Sequence, residues 1–289
     1  MPCVLGIDAA WSAGCPSGIS LLSCEPASRP RLLVTARSFV EYAQVLDGAT
    51  PRWDKPPPHG QMGLREVLEA TARKLGSWPL ISIDIPLSSQ PIAGRRLADQ
   101  EVAREYGRLG ATTHTPNPNR PGGVSLGIYK TLTGLGYQLA TNEVCFSTER
   151  PLFLETYPHP AVIELLELDY RLPYKTSRRH DYWPKDTPAR RWERLVESMT
   201  LLHRGLSGEV ELAGRLPEPS FLRAARPKTP AFKGYEDALD ATICAWVGAE
   251  FLRGRCRPLG GTDGTVWLPL PRRGQPRSCL VAGARLESY

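Results

Sequence analysis

Four aspartates stand in apolar stretches of the sequence, where a charge is unusual. Asp8 ends the first apolar run of the chain, and Asp84 lies inside the run at 80–85. Asp237 and Asp240 lie three residues apart near the start of a late helical pattern, on the face with small and apolar residues. An ionised carboxylate in such a setting is costly unless it is paired or bound to a metal ion.

Each aspartate also has an ordinary structural explanation. Asp237 and Asp240 could favour the positive end of a helix dipole, an effect worth ~0.3–1 kcal/mol each. Asp8 could be a turn residue, and Asp84 could pair with an arginine. If strands carrying Asp8 and Asp84 are neighbours and the late helix packs across them, however, the acidic groups meet and repel one another. Divalent cations relieve that repulsion, and oxygen ligands suit Mg²⁺ or Mn²⁺.

The elements needed to bring these residues together are visible as short apolar runs. Residues 4–8, 18–24 and 32–40 predict three strands, and the short turns between them favour an antiparallel meander. Apolar spacing predicts a helix over 64–75, ahead of a fourth strand at 80–85. A helix between the third and fourth strands permits a parallel crossover, so the sheet is predicted to be mixed.

The rest of the chain is predicted to add to this sheet within one domain spanning residues 1–289. Residues 88–150 are interpreted as an insertion on the sheet, with a helix at 127–139. A fifth strand is expected at 152–156, a strong helix at 236–252 and a final short strand at 265–268, and residues 171–230 form a basic segment.

Seven short stretches, spread over nearly the whole chain, resemble a known family. They are 6–11 (GIDAAW), 16–18 (PSG), 83–87 (IDIPL), 96–101 (RLADQE), 155–158 (ETYP), 237–241 (DALDA) and 263–269 (DGTVWLP). In this order they resemble an uncharacterised prokaryotic family of predicted RNase H-like nucleases, in the superfamily of RuvC-type resolvases and YqgF-like proteins. The resemblance implies an RNase H-like α/β fold. Its five-stranded mixed sheet has three antiparallel first strands, flanking helices and a helical insertion after strand 4.

The resemblance also implies a metal-dependent nuclease that hydrolyses phosphodiester bonds with two Mg²⁺ or Mn²⁺ ions. It implies that Asp8 bridges the ions, that Asp84 holds one, and that Asp237 or Asp240 holds the other. The superfamily often has glutamate on strand 4, where this chain has aspartate. Glu155 either joins this catalytic cluster from the fifth strand, lies just outside it, or is an ordinary residue at a strand end.

Two further groups of residues bear on partners and mechanism. His159, between two prolines, either assists as a base or is structural. Candidate nucleic-acid contacts are Arg95, Arg96, Arg178, Arg179 and Lys233. Runs of charged residues usually form a solvated surface. The four arginines could therefore be ordinary surface residues that contact no nucleic acid. The net charge of +6, from 36 Lys and Arg against 30 Asp and Glu, is compatible with a DNA or RNA partner.

Two rival functions remain open. Actin-like ATPases and sugar kinases also begin with Gly-x-Asp before a tight turn, so residues 14–18 could touch the phosphates of ATP in a phosphotransferase. Alternatively, an RNase H-like module without catalysis could bind nucleic acid through residues 171–194. The sequence has neither a Gly-x-x-x-x-Gly-Lys loop nor a Gly-x-Gly-x-x-Gly fingerprint, which disfavours P-loop and Rossmann functions.

Composition limits the location and the metal chemistry. No apolar run approaches the ~20 residues of a membrane span, and no basic segment precedes an apolar one at the start of the sequence. The seven cysteines form no Cys-x-x-Cys pair, which disfavours a zinc ribbon. Scattered thiols of this kind are typical of a reducing cytoplasm, where we expect the protein to act.

Overall fold

The apolar runs of the sequence form one mixed sheet in a computed structural model that describes residues 1–12, 14–58, 60–144, 150–225 and 229–271. The strands are β1 (Cys3–Asp8), β2 (Gly18–Ser23), β3 (Arg31–Ala36), β4 (Leu80–Asp84), β5 (Gln138–Leu139), β6 (Leu152–Thr156), β7 (Cys256–Gly261) and β8 (Gly264–Pro269). Their order across the sheet is β3-β2-β1-β4-β6-β8-β7, and the short β5 pairs with β6.

Helices cover both faces of this sheet. They are α1 (Phe39–Leu46), α2 (Leu64–Leu75), α3 (Leu97–Tyr106), α4 (Gly122–Gly134), α5 (Pro158–Leu166), α6 (Arg179–Tyr182), α7 (Pro188–Glu209), α8 (Ser220–Ala225) and α9 (Thr229–Leu252). Within the described residues, no helix combines the length and the apolar character needed to cross a membrane.

The strand pairing confirms a mixed sheet with an antiparallel start. β1 pairs with β2 and β2 with β3 in antiparallel fashion, as the short turns predict. β1, β4, β6 and β8 then follow one another as parallel neighbours, and β7 returns antiparallel to β8.

The prediction of five strands is wrong, since the described residues form eight. The strand over residues 256–261 was missed because its sequence, CRPLGG, contains proline and glycine, which are rare in strands. Pro258 is tolerated there because β7 is the last strand of the sheet, where one side of the backbone has no strand to bond. The helix predicted at 127–139 ends instead at Gly134, and the two residues of β5 follow a turn at Gly136, whose φ is +88°.

The third strand also ends earlier than predicted, at Ala36. Ser38, two residues before the predicted strand end, caps the start of α1, where its side chain accepts a hydrogen bond from the backbone N–H of Glu41. Such a serine cap stabilises a helix start and removes the following residues from the strand.

Helix α9 lies across β1, β2 and β4 at unusually short range. A Cβ on Gly6 would lie 2.1 Å from the carbonyl oxygen of Ala241, and one on Gly248 would lie 2.5 Å from Val4 Cγ1. Small residues on both surfaces therefore let the helix backbone touch the strand backbone. This contact positions the first turns of α9 beside the carboxyl ends of β1 and β4.

We expect Gly6→Ala to lower the free energy of unfolding by about 1–3 kcal/mol, because the added methyl group forces α9 away from β1. Urea denaturation measures the change. Gly123→Ala is the control, since a Cβ at Gly123 in α4 meets nothing within 4 Å; it is expected to leave stability unchanged or raise it by up to ~1 kcal/mol. Equal stability of Gly6→Ala and the wild type would contradict the close contact.

Candidate active site

The site is built on the carboxyl ends of two parallel neighbouring strands. Asp8 and Asp84 are the last residues of β1 and β4 and are register partners. Neighbouring strands lie about 4.7–4.9 Å apart, and in-register residues point to the same face. The sheet therefore brings these two carboxylates together, as the sequence predicted.

Helix α9 adds a third carboxylate from above the sheet. Gly18 in β2 is the register partner of Asp8, and a Cβ on Gly18 would lie 2.1 Å from the carbonyl oxygen of Asp237. Asp237 thus stands beside the end of β1, with only 4% of its surface exposed. Asp240 is one turn further along α9 and is fully buried.

The carboxylates act on one another electrostatically. Burial raises the pKa of Asp84 well above its usual range, and the charge of Asp8 raises it further, while Lys175 opposes the rise. Burial likewise raises the pKa of Asp237; Lys233 opposes this, and Asp8 adds to it. Both shifts mean that burial and the neighbouring charge of Asp8 disfavour the ionised forms of these two carboxyl groups.

Two lysines meet part of that negative charge. The Lys175 ammonium group pairs with Asp240 and lies 3.7 Å from Glu236 Oε1, while Lys233 pairs with Asp237 and lies 3.2 Å from that same glutamate oxygen. Burial disfavours the charge on Lys175, but Asp240 and its other anionic neighbours still raise its pKa well above the ordinary value.

Asp240 differs from the other three aspartates because both of its oxygens are engaged. The hydroxyl of Tyr174 donates to Asp240 Oδ1 at 2.6 Å, and Lys175 pairs with Oδ2. Asp240 is also not among the residues lining the cavity described below. Its predicted role as a direct metal ligand therefore has less support from the geometry than the roles of Asp8, Asp84 and Asp237.

Sequence reasoning missed Tyr174, Lys175 and Glu236. Glu236 is buried and accepts a hydrogen bond from the backbone N–H of Thr176 at 2.6 Å, besides its lysine contacts. Its position directly before Asp237 was a usable signal, because it lies in the same first turns of α9. Lys175 was hidden in a basic segment that looks like solvated surface.

Arg96 and Glu155 form a separate buried cluster with Asp99. Arg96 Nη2 lies 2.6 Å from Glu155 Oε1 and 3.0 Å from Asp99 Oδ1. Glu155 Oε2 also accepts the backbone N–H of Leu87 at 2.6 Å, in the loop that follows β4. The geometry gives no support to the predicted phosphate contact of Arg96, because its guanidinium is buried against two carboxylates. Glu155 matches the alternative of a group outside the aspartate cluster, which positions the loop after β4.

The other predicted nucleic-acid contacts divide into two groups. Arg178 and Lys233 line the cavity. Arg95 is exposed on the approach to α3, and Arg179 donates to the carbonyl oxygen of Thr176 at 2.8 Å and stacks over Trp192. Neither Arg95 nor Arg179 is among the described residues that line the cavity.

A cavity of about 600 Å³ opens above the aspartates. Its acidic lining residues are Asp8, Asp84, Asp99, Glu155, Glu236 and Asp237. Its basic lining residues are Arg120, Arg171, Lys175, Arg178 and Lys233. The volume falls within the ~300–1,000 Å³ of small-molecule sites. One cavity thus combines carboxylates at its floor with cationic groups that suit a substrate bearing phosphate.

The donor set fits a divalent cation by type, since carboxylate oxygens are what Mg²⁺ and Mn²⁺ prefer. Asp8, Asp84 and Asp237 have these oxygens at the cavity and carry the mutual repulsion that a cation relieves. In the described part of the chain, no three His, Cys, Asp or Glu side chains stand in a metal-coordinating arrangement. The ammonium groups of Lys233 and Lys175 pair with Asp237 and Asp240.

Comparison with known proteins places the chain but gives it no activity. The family model of DUF429, described as a protein of unknown function, matches residues 6–264. This match includes all four aspartates and every residue lining the cavity except Val266. No curated protein and no solved structure matches the chain.

We expect Arg96→Met to lower the free energy of unfolding by about 3–5 kcal/mol at pH 7, because it leaves Glu155 and Asp99 buried without their partner. Arg95→Met removes the same charge from the exposed neighbouring position and is expected to change stability by less than about 0.5 kcal/mol. Chemical denaturation of both variants makes the comparison. If they unfold at the same denaturant concentration, the buried pairing is wrong.

Proposed function

The chain belongs to the DUF429 family, and we propose that it is a divalent-metal-dependent nuclease with an RNase H-like core. The observation that carries the proposal is the register of Asp8 with Asp84 at the ends of two parallel strands, below one cavity. Paired carboxylates at such a position, with a third on a packed helix, suit the hydrolysis of phosphodiesters.

The order of the strands supports the RNase H-like part of the proposal. The path β3-β2-β1-β4-β6 has three antiparallel strands followed by two parallel ones. The antiparallel first three strands agree with what the family resemblance of the sequence implies, and they support an RNase H-like core within the larger sheet. The hairpin of β7 and β8 extends that sheet beyond β6.

Asp8, Asp84 and Asp237 are the residues that would hold the metal ion. When bound there, Mg²⁺ or Mn²⁺ supplies a water of lowered pKa and neutralises charge on a phosphate. The protein holds the carboxylates in place through strand register and the α9 contact. Lys233 and Arg178 line the same cavity and bring positive charge to the substrate phosphates. Asp240 could help to hold a second ion only after leaving Lys175 and Tyr174, so a single ion is the better supported arrangement.

The alternative of an ATP-dependent phosphotransferase is less well supported. It rests on the glycine-containing turn at 14–18. Gly18, however, already has a packing reason to be glycine, because the backbone of Asp237 leaves no room for a Cβ.

We expect Asp8→Asn to reduce Mn²⁺-dependent cleavage at least ~10²-fold, because removing one group that stabilises charge in the transition state typically costs this much. Labelled DNA and RNA oligonucleotides and bis(p-nitrophenyl) phosphate are the substrates. The melting temperature is expected to stay equal or rise, since the change removes one of several mutually repelling charges.

Asp47→Asn is the matched control, since Asp47 is exposed at the end of α1, and it should cleave like the wild type. Undiminished cleavage by Asp8→Asn contradicts the proposal. So does a wild-type protein that cleaves none of these substrates with Mn²⁺; retained oligonucleotide binding would then favour the non-catalytic binding module.

A further inference from the structure

One wall of the cavity has a cationic character that the aspartate cluster does not explain. It consists of the segment between α5 and α6, from which Arg171, Lys175 and Arg178 line the cavity, and of His159 in the first turn of α5. Lys175 turns its charge toward Asp240 and Glu236. The charges of Arg171 and Arg178 can therefore interact with a ligand in the cavity.

Few carboxylates of the described residues lie close to the two arginines. Within that part of the chain, Arg178 pairs only with Asp181, at 3.3 Å, and both side chains are exposed. Among the described residues, no carboxylate lies within ion-pair distance of Arg171. Its guanidinium lies over the ring of Tyr182 instead, with Cζ 5.8 Å from the ring centroid. A cation stacked on an aromatic ring keeps its N–H donors available.

Polar atoms in this wall also lack protein partners. Arg171 Nε, His159 Nδ1 and the hydroxyl of Tyr182 are buried, and no described residue forms a hydrogen bond with any of them. Buried polar atoms are normally hydrogen-bonded, and leaving one unbonded costs about 1–3 kcal/mol. His159 is more than nine-tenths buried and lies edge-on to Tyr157 and Tyr174, at 5.8 and 5.5 Å between ring centroids. The rings fix the orientation of the imidazole at the cavity wall.

These groups together suit a phosphate. Guanidinium groups recognise its oxygens through paired N–H donors, and an imidazole and a phenol hydroxyl add further hydrogen bonds. Two cations in one wall match a doubly charged terminal phosphate better than the single charge of an internal phosphodiester. A cavity of about 600 Å³ is also the size of a site for a small molecule or a strand end.

We propose that Arg171, Arg178 and His159 form an anion subsite that binds the terminal phosphate of a nucleotide or oligonucleotide end. The inference rests on the proposed nuclease function for its choice of substrate class. It assigns the enzyme to substrates with a phosphorylated end, whose neighbouring phosphodiester then lies toward Asp8 and Asp84. Binding at the subsite needs no metal ion.

Calorimetric titration of the full chain in metal-free buffer with EDTA tests the subsite. The probes are thymidine dinucleotides that carry a phosphate at the 5′ end, at the 3′ end or at neither. We expect one phosphorylated probe to bind at least tenfold more tightly than the unphosphorylated one. Arg171→Gln and Arg178→Gln should each reduce the ratio of the two affinities by about 10- to 100-fold, which is the usual effect of losing a charged hydrogen bond. Where the wild-type ratio is smaller than this, the preference should disappear.

Arg73→Gln, at an exposed position of α2 outside the cavity, is the control and should bind like the wild type. Arg178 is exposed, so its replacement leaves a folded protein to test even if Arg171→Gln unfolds. Equal binding of all three probes by the wild type overturns the subsite. The subsite is also overturned if Arg178→Gln and a folded Arg171→Gln both keep the wild-type preference for the phosphorylated probe.

The subsite and the nuclease proposal fail separately. Asp8→Asn should keep the full preference for the phosphorylated probe, because it leaves the cationic wall intact. A phosphate preference in a wild-type protein that cleaves nothing supports the subsite and removes the nuclease. Cleavage that depends on Asp8 but ignores the terminal phosphate does the reverse.

Discussion

The close contact between α9 and the strands β1 and β2 is the constraint on which the rest of the site depends. Gly6 and Gly18 have no room for a side chain, because the backbone of α9 occupies that space. The helix therefore cannot shift or rotate without a clash, and Asp237 is held where β1 ends. Since Asp8 and Asp84 end neighbouring strands in register, three carboxylates converge through backbone packing alone. Side-chain flexibility contributes little to this convergence.

Carboxylates that lie this close together repel one another, and the protein compensates their charge with two kinds of basic residue. Arg96 pairs with both Glu155 and Asp99 in a buried cluster, and Glu155 holds the loop after β4 by accepting the backbone N–H of Leu87. The aspartate cluster is treated differently, since its counter-charges are lysines, and the side chain of Lys233 remains about half exposed. A lysine on a flexible chain can give way to another cation more readily than a bidentate arginine can. The arginine-paired carboxylates thus have a structural role, whereas the lysine-paired aspartates are those proposed to bind a metal ion.

The sequence was sufficient to predict those features that depend on local patterns. Apolar runs and short turns predicted the antiparallel start of the sheet. The expectation that the strands carrying Asp8 and Asp84 are neighbours predicted the meeting of these two residues. The partner of each charged group could not be predicted, because it depends on distant contacts: Arg96 meets Glu155 across 59 residues and Lys175 meets Asp240 across 65. Edge strand β7 was missed for another reason, because its proline and glycines contradict the ordinary composition of strands.

The central claim is that the negative charge around Asp8 and Asp84 is there to bind a divalent cation. Diffraction from crystals soaked in Mn²⁺, recorded at the manganese absorption edge, tests it most directly. We expect an anomalous peak within coordination distance of both carboxylates, and its loss in crystals of Asp84→Asn. Crystals that bind Mn²⁺ elsewhere, or not at all, with the lysine pairs of Asp237 and Asp240 unchanged, would contradict the claim.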